Sequence, residues 1–245
     1  MDKLDITITA SRRSQILKKT LESFKVNLLG DTPCRVIINI DPVGLDEDPN
    51  LCLDVCRMFF DDVCYRIQPV PNFSDAFKWV WSRVKSDYVL HLEDDWQLLR
   101  KIDLKDMLFI LHSEPDLALL RLPQFKSGTT SMKNWNVFFP FDGLYFECPE
   151  NLKMSVGFCG HPSIIKKAFI ETTAPHIDTK LNPEKQFHRG PKEIMAVVAK
   201  WRYGVYAKPN EPSAIADLGR RWMVENKLTK KGSKAWFLEW EKEAL

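Results

Sequence analysis

The sequence predicts an α/β fold, with a mostly parallel central sheet flanked by helices and a smaller mixed part toward the C-terminus. Three observations predict it. Short runs rich in β-branched and apolar residues, at Leu4–Thr9, Arg35–Ile40, Val63–Ile67 and Asp87–Leu92, alternate with segments of helical period. The intervening segments are long enough to hold the crossover helices that parallel neighbours need. The chain has 245 residues, 44% of them hydrophobic, with no internal repeat, low-complexity stretch or dividing linker, which suits one continuous core.

The elements follow in order. Leu4–Thr9 reads L-D-I-T-I-T, an alternating strand pattern. Ser11 is a candidate N-cap for a helix from about Ser14 to Lys25, with Ile16, Leu17, Leu21 and Phe24 on one side. Pro33 precedes a second strand, which ends at Asp41-Pro42, and the acidic segment to Pro49 is a loop. A helix from Asn50 to Phe60 leads to the strand Val63–Ile67. Asn72 or Ser74 caps a helix across Asp75–Val84, whose Ala76, Phe77, Val80 and Trp81 face inward. The strand from Asp87 then runs straight into Glu93-Asp94-Asp95-Trp96.

The second half is less regular. Ile102–Ser113 reads as a helix and Leu117–Leu122 as a strand; the polar, aromatic stretch Phe125–Phe146 is assigned a hairpin. Met154–Cys159 is expected as a strand, Ser163–Glu171 as a helix, Pro183–Lys200 as helix-containing and Tyr203–Ala207 as a strand, with an amphipathic helix from Ser233.

Lys and Arg number 35 against 33 Asp and Glu, so the net charge of +2 demands no polyanionic partner. No apolar run approaches the roughly 18–20 residues of a membrane span. Met1–Asp5 has no basic stretch followed by an apolar one, so a secretory signal is not expected and a cytoplasmic location is. The six cysteines fit neither a small disulfide scaffold nor a zinc pattern; buried, reduced thiols are expected.

Glu93-Asp94-Asp95 carries the chemistry. Three successive carboxylates at the end of an apolar strand are costly to bury unpaired. Ligands of open α/β sheets bind at the carboxyl ends of strands. Mg²⁺ or Mn²⁺ takes one or two protein carboxylates together with substrate phosphates, a demand that an Asp at a strand end can meet. The alternative is a solvated acidic turn capping the next helix.

Several segments together resemble a known family: the strand into Thr9-Ala10-Ser11-Arg12, the strand ending at Asp41, Asn72-x-Ser74-x-Ala76, and Asp87–Asp95. Over residues 4–100 they are similar to the nucleotide-binding half of GT-A glycosyltransferases, family 2 above all, with Glu-Asp-Asp as a variant of the Asp-x-Asp motif. The resemblance implies a GT-A fold in one catalytic domain over residues 1–245. Residues 1–100 would be its nucleotide-binding half, 101–212 its acceptor and catalytic half, and 213–245 a C-terminal lid and helix. It implies sugar transfer from a nucleoside-diphosphate sugar to an acceptor hydroxyl, with Mn²⁺ or Mg²⁺. Thr9, Ala10, Ser11 and Arg12 would wrap the nucleotide, Asp41 would hold the base, and Asn72, Lys78 and Glu93 would belong to the same site. Asp94 would lie by the ribose and Asp95 would ligate the metal. The chain departs from the family at Ser11-Arg12-Arg13, where Tyr-Asn is frequent, and at Ser74 and Lys78, where Gly and Asn are frequent.

An inverting enzyme of this kind needs a carboxylate base beside the acceptor hydroxyl. Gly157–Ser163 resembles the family segment that precedes it, and Asn182-Pro183-Glu184 then supplies Glu184 at a helix start, with Glu193 and Asp178 as the competitors. Ile215–Trp222 resembles the segment that closes over the diphosphate: Asp217 would stand near the metal and Arg220 or Arg221 would neutralise the leaving group. His161 and His188 are further ligand or acceptor candidates. Arg220–Lys234 is basic and flanked by Trp222 and Trp236, which keeps a nucleic acid acceptor open. Two other readings compete: a non-catalytic nucleic-acid-binding module, and nucleotidyl transfer. The first leaves the strand-end acids unexplained; the second wants a Gly-rich loop after the first strand, and no Gly precedes Gly30.

Overall fold

A computed structural model of the chain describes residues 3–46, 48–124, 139–231 and 239–242. The first half is a run of βαβ units. Strands β1 (Leu4–Arg12), β2 (Cys34–Gly44), β3 (Asp62–Ile67) and β4 (Tyr88–Glu93) are joined through helices α1 (Ser14–Phe24), α2 (Asn50–Phe59) and α3 (Phe73–Ser82). There follow β5 (Trp96–Leu98), α4 (Leu104–Ser113), β6 (Leu117–Arg121), β7 (Phe146–Glu147), α5 (Lys153–Val156), β8 (Ser163–Lys166), α6 (Lys167–Thr173), α7 (Gln186–Arg189) and α8 (Lys192–Val198). The chain continues through β9 (Arg202–Val205), β10 (Ile215–Asp217), α9 (Gly219–Glu225), β11 (Leu228–Lys231) and β12 (Glu239–Lys242).

Among the described residues eight strands form one sheet, in the order β3-β2-β1-β4-β8-β6-β9-β7. The β3-β2-β1-β4 half is parallel, β8 runs antiparallel to both β4 and β6, and β9 lies parallel to β6. A second small sheet pairs β5 with β10, and a third pairs β11 with β12. This is the GT-A architecture.

Helices cover both faces of the sheet, as parallel strands require. Leu4, Ile6 and Ile8 of β1, with Val36, Ile38 and Ile40 of β2, pack with Leu17, Leu21 and Phe24 of α1 and Met107 and Ile110 of α4. Ile37 and Val89 point the other way, to Phe77, Val80 and Trp81 of α3 and Phe169 of α6. The polar members of the alternation are buried too. Thr7 and His91 are hydrogen-bonded at 3.0 Å, and the Asn39 amide donates to Gln68 Oε1 at 3.0 Å. His91 Nε2 and the Thr9 hydroxyl are buried without a partner, a cost that the apolar face, at roughly 1.5–3 kcal/mol for each fully buried aliphatic side chain, outweighs.

Several local expectations change. Ser11 does not cap α1: β1 extends through Arg12, and the first helical N–H, that of Ser14, is instead taken by Asp46 Oδ2 at 2.6 Å. Asn72 caps α3, accepting from the Asp75 N–H at 2.9 Å. Ser163–Lys166 is a strand rather than the start of a helix, because Ile164 and Ile165 are needed to bridge β4 and β6; the helix begins at Lys167. Met154–Cys159 is not a strand: its first residues close the short α5. The Pro183–Lys200 helix divides into α7 and α8 around Gly190-Pro191. Glu239–Lys242 pairs with β11 as a strand, not a helix; residues 232–238 and 243–245, and residues 125–138 of the expected hairpin, lie outside the described residues. Among the described residues no helix is long and apolar enough to cross a membrane. All six cysteines are free.

Candidate active site

The carboxyl ends of β1, β2 and β4 open into a cleft of about 830 Å³. Its floor is acidic. Glu93, Asp94 and Asp95 enter from the end of β4, Asp41 from β2, Asp217 from the end of β10, and Glu184 from the turn before α7. These carboxylates, distant in sequence, share one cavity because β10 pairs with β5, which follows the acidic run directly.

Arg13 answers part of this charge. Its guanidinium forks onto Asp94, with Nε donating to Oδ2 at 3.1 Å and Nη2 to Oδ1. The same Nη2 reaches Asp95 Oδ2 at 3.2 Å. Asp94 also accepts from the Ser11 N–H at 2.9 Å, while the Thr20 hydroxyl donates to the Asp94 carbonyl at 2.7 Å. Asp94 is therefore a buried anchor holding the first-strand loop to the end of β4. Burial works against the Arg13 charge, but the two aspartates keep it protonated. Trp222 of α9 lies over the guanidinium at 5.4 Å, fixing α9 to the same centre.

Asp95 is less satisfied. Burial pushes its carboxyl up to about 6; Arg13 opposes the shift, and the Asp94 and Asp217 charges add to it. Glu93 is raised well above the usual carboxylate range, first by burial and then by Asp95, Glu184 and Asp94. With Arg13 among the acids and the exposed Arg220 paired with Asp217 at 3.2 Å at the rim, the cleft carries more acidic than basic side chains. Among the described residues no three His, Cys, Asp or Glu side chains stand together as a self-sufficient metal cage.

Two glycines allow this crowding. A Cβ on Gly219 would lie 2.1 Å from Asp95 Oδ2, so only glycine lets the start of α9 reach the acidic run. There the Gly219 and Arg220 N–H groups donate to Asp217 Oδ1 at 2.9 and 3.2 Å, and the Leu218 N–H to the Asp95 carbonyl at 2.8 Å. A Cβ on Gly160 would lie 2.7 Å from Glu184 Oε1 and 3.0 Å from Glu93 Oε1; its N–H donates to that Glu184 oxygen. Asn182 Oδ1 accepts from the Glu184 and Lys185 N–H groups at 3.1 and 3.0 Å, orienting the turn. His161 packs edge-on against Trp96 at 4.9 Å beside Glu184. At the opposite end burial pushes Asp41 up to about 6, opposed by hydrogen bonds from Asn39 and the Asn72 backbone and by Arg66. Val43 and Phe73 supply apolar walls there.

Of the residues singled out from sequence, Thr9, Ala10, Ser11, Asp41, Glu93, Asp94, Asp95, Glu184, Asp217, Arg220 and His161 line the cleft. Five do not. The side chain of Arg12 lies outside, because the β1 bulge at Ser11/Arg12 passes the inward place to Arg13. The Asn72 side chain is consumed as a helix cap. Lys78 points away from the cleft and donates to the Ile177 carbonyl at 2.9 Å. Glu193 is exposed in the first turn of α8. Arg221, 82% exposed, pairs with Glu225 in its own helix, leaving Arg220 as the arginine at the rim. His188 also stands back from the cleft, its Nε2 bonded to the Phe158 carbonyl at 2.7 Å. Sequence reasoning missed Arg13, Phe73 and Trp96. For Arg13 the signal was local: β1 continues past Thr9 to Arg12, which leaves Arg13 at the start of the loop.

No protein-family model matches the chain, and no curated protein matches it in sequence. Solved structures do match in fold. A structure of S. aureus TarS superposes with a TM-score of 0.56 at 11% identity, over 86% of this chain and 36% of that one. S. aureus TarS 1-349 in complex with UDP-GlcNAc gives 0.55 at 12% identity, over 86% and 57%. The mannosyltransferase PcManGT from Pyrobaculum calidifontis, in complex with GDP-Man and Mn²⁺, gives 0.53 at 11% identity, over 84% and 55%. The chain thus spans between about a third and somewhat over half the length of these proteins.

Proposed function

We propose that the chain is a metal-dependent, inverting glycosyltransferase of the family 2 kind, which moves a sugar from a nucleoside-diphosphate sugar to an acceptor hydroxyl. The observation that carries this reading is the convergence of Asp41, Asp95, Asp217 and Glu184 on one cleft at the carboxyl ends of parallel strands. The fold likeness to proteins complexed with UDP-GlcNAc and with GDP-Man and Mn²⁺ supports it. Six free cysteines suit a reducing, cytoplasmic setting.

In this reading Asp41 accepts an N–H of the base, Phe73 and Val43 flank it, and the Ser11 loop lies along the nucleoside. Asp95 and Asp217 hold Mn²⁺ or Mg²⁺, which would offset the charge of the diphosphate as it leaves. Arg13 keeps the acidic run in place, and Arg220 adds positive charge at the rim. Glu184 takes the proton of the acceptor hydroxyl as the acceptor oxygen bonds to the anomeric carbon; the bond from that carbon to the diphosphate oxygen breaks, its electron pair leaving with the diphosphate. The Gly160 N–H and Asn182 hold Glu184 for this step. The acceptor belongs to the space beside Trp96 and His161.

Gly219 offers a test that removes no charged group. In Gly219→Ala the new methyl displaces Asp95, so Mn²⁺-dependent affinity for UDP or GDP is expected to fall by about 10²-fold, the usual scale of an ångström-sized misplacement. Calorimetric titration measures it, with circular dichroism unchanged. Wild-type affinity in this variant would separate Asp95 from the metal site.

The raised carboxyl of Asp41 sets a pH dependence. Its ionised form, the one able to accept from a base N–H, predominates only above about 6, so nucleotide affinity should fall as pH drops through that value. Asp95 titrates in the same range, and the difference between wild type and Asp41→Asn isolates the base contact. Identical pH profiles for the two proteins would remove Asp41 from nucleotide binding.

A further inference from the structure

We infer that α3 is a brace through which the nucleotide side of the cleft sets the position of Glu184, with Ser74 and Lys78 as its positioning residues. The inference rests on the reading of Glu184 as the base. The first turns of α3 face two ways. Toward the cleft, Phe73 and Ala76 line the wall, and the Asn72 backbone stands by the Asp41 carboxylate and favours its charged form. Away from it, the fully buried Ser74 hydroxyl donates to the Leu181 carbonyl, and Lys78 Nζ donates to the carbonyls of Ile177 and Pro175 at 2.9 and 3.4 Å. Those carbonyls stand just before, at the start of and midway along the segment that delivers Glu184.

Residues 177–185 contain no regular helix or strand, and their remaining bonds are mostly local. Gln186 closes the segment on itself, accepting from the Asp178 N–H at 2.9 Å and donating to the Asp178 and Asn182 carbonyls at 3.3 and 3.4 Å. Asp178 and Asn182 each cap N–H groups two or three residues on. A loop stapled to itself in this way moves as a body, so its attachments to α3 decide where the Glu184 carboxylate meets the Gly160 N–H. Lys78 reaches to the far side of α3 and there holds the loop by two carbonyls. The helix that touches the base thereby also locates the group that deprotonates the acceptor, which ties donor occupancy to the geometry of the reaction.

The test compares Ser74→Ala, Lys78→Met, the double variant and Lys78→Arg with Glu184→Gln. Turnover is followed as nucleoside diphosphate released from UDP-GlcNAc and from GDP-mannose with Mn²⁺, and amide hydrogen exchange is followed at residues 177–185 and at Gly160. In the double variant kcat should drop by about 10²-fold with the donor KM held within about twofold. Exchange should quicken at Gly160 and across 177–185 while α3 stays protected, and Lys78→Arg should restore most of both readouts relative to Lys78→Met. Wild-type exchange at Gly160 and the loop in the double variant overturns the inference, as does a loss confined to donor KM. If Glu184→Gln turns over like wild type while the double variant loosens the loop, the base assignment fails and the brace stands. If Glu184→Gln is inactive and the double variant keeps wild-type kcat, the brace fails and the base assignment stands.

Discussion

Replacing Asp95 by alanine is expected to remove most of the metal-dependent affinity for a nucleoside diphosphate, by about 10–100-fold or more, the scale seen when metal-site residues are lost. The argument starts from charge. Asp95 sits in the cleft among Asp94 and Asp217, and burial already presses it toward protonation at about 6. Asp95 would hold a divalent ion whose charge would relieve that pressure, and diphosphate oxygens would complete its ligands. Asp94→Ala should behave differently. It strips Arg13 of its fork partner and frees the Ser11 N–H, so its expected result is loss of folding stability as well as of binding. Titrations of UDP and GDP with Mn²⁺ and with EDTA, beside thermal melts, separate the two. Equal nucleotide binding by Asp95→Ala, or binding indifferent to EDTA, contradicts the metal assignment.

Glu184→Gln carries the second large effect. The amide keeps nearly the same shape and can still accept from the Gly160 N–H, but it takes no proton from an acceptor. Turnover should fall by about 10²-fold or more, the usual contribution of a general base, with donor affinity nearly unchanged. A loss of donor binding without a loss of turnover would instead place Glu184 on the sugar. Glu193→Gln serves as the control: in the first turn of α8 and exposed, it should retain wild-type turnover.

The parallel half of the fold was legible because its signals are local and agree with one another. The alternation of β1, the Asn72 cap and the apolar stripe of α3 each point to the element that forms. Glu93-Asp94-Asp95 was legible for the same reason, as a charged run ending an apolar strand. The second half depends on partners far along the chain. Ser163–Lys166 carries no strand signal strong enough to outweigh the helical residues after it; it becomes a strand because a place between β4 and β6 must be filled. Glu184 and Asp217 were found through a resemblance, and nothing in their neighbourhoods shows that they meet. Lys78 was assigned to the nucleotide by motif position, but one helix face separates Ala76 at the cleft from Lys78 behind it. Arg13 was missed because β1 runs three residues past Thr9, to Arg12, so the loop that enters the cleft begins later than expected.

The most direct test is anomalous diffraction at the manganese edge from crystals grown with Mn²⁺ and either UDP-GlcNAc or GDP-mannose. The account predicts one manganese peak coordinated by Asp95 and by diphosphate oxygens, close to Asp217. The base should lie against Asp41, and the anomeric carbon should face Glu184 across the space beside Trp96. A nucleotide seated outside this cleft, or one bound within it with manganese absent from Asp95, contradicts the account.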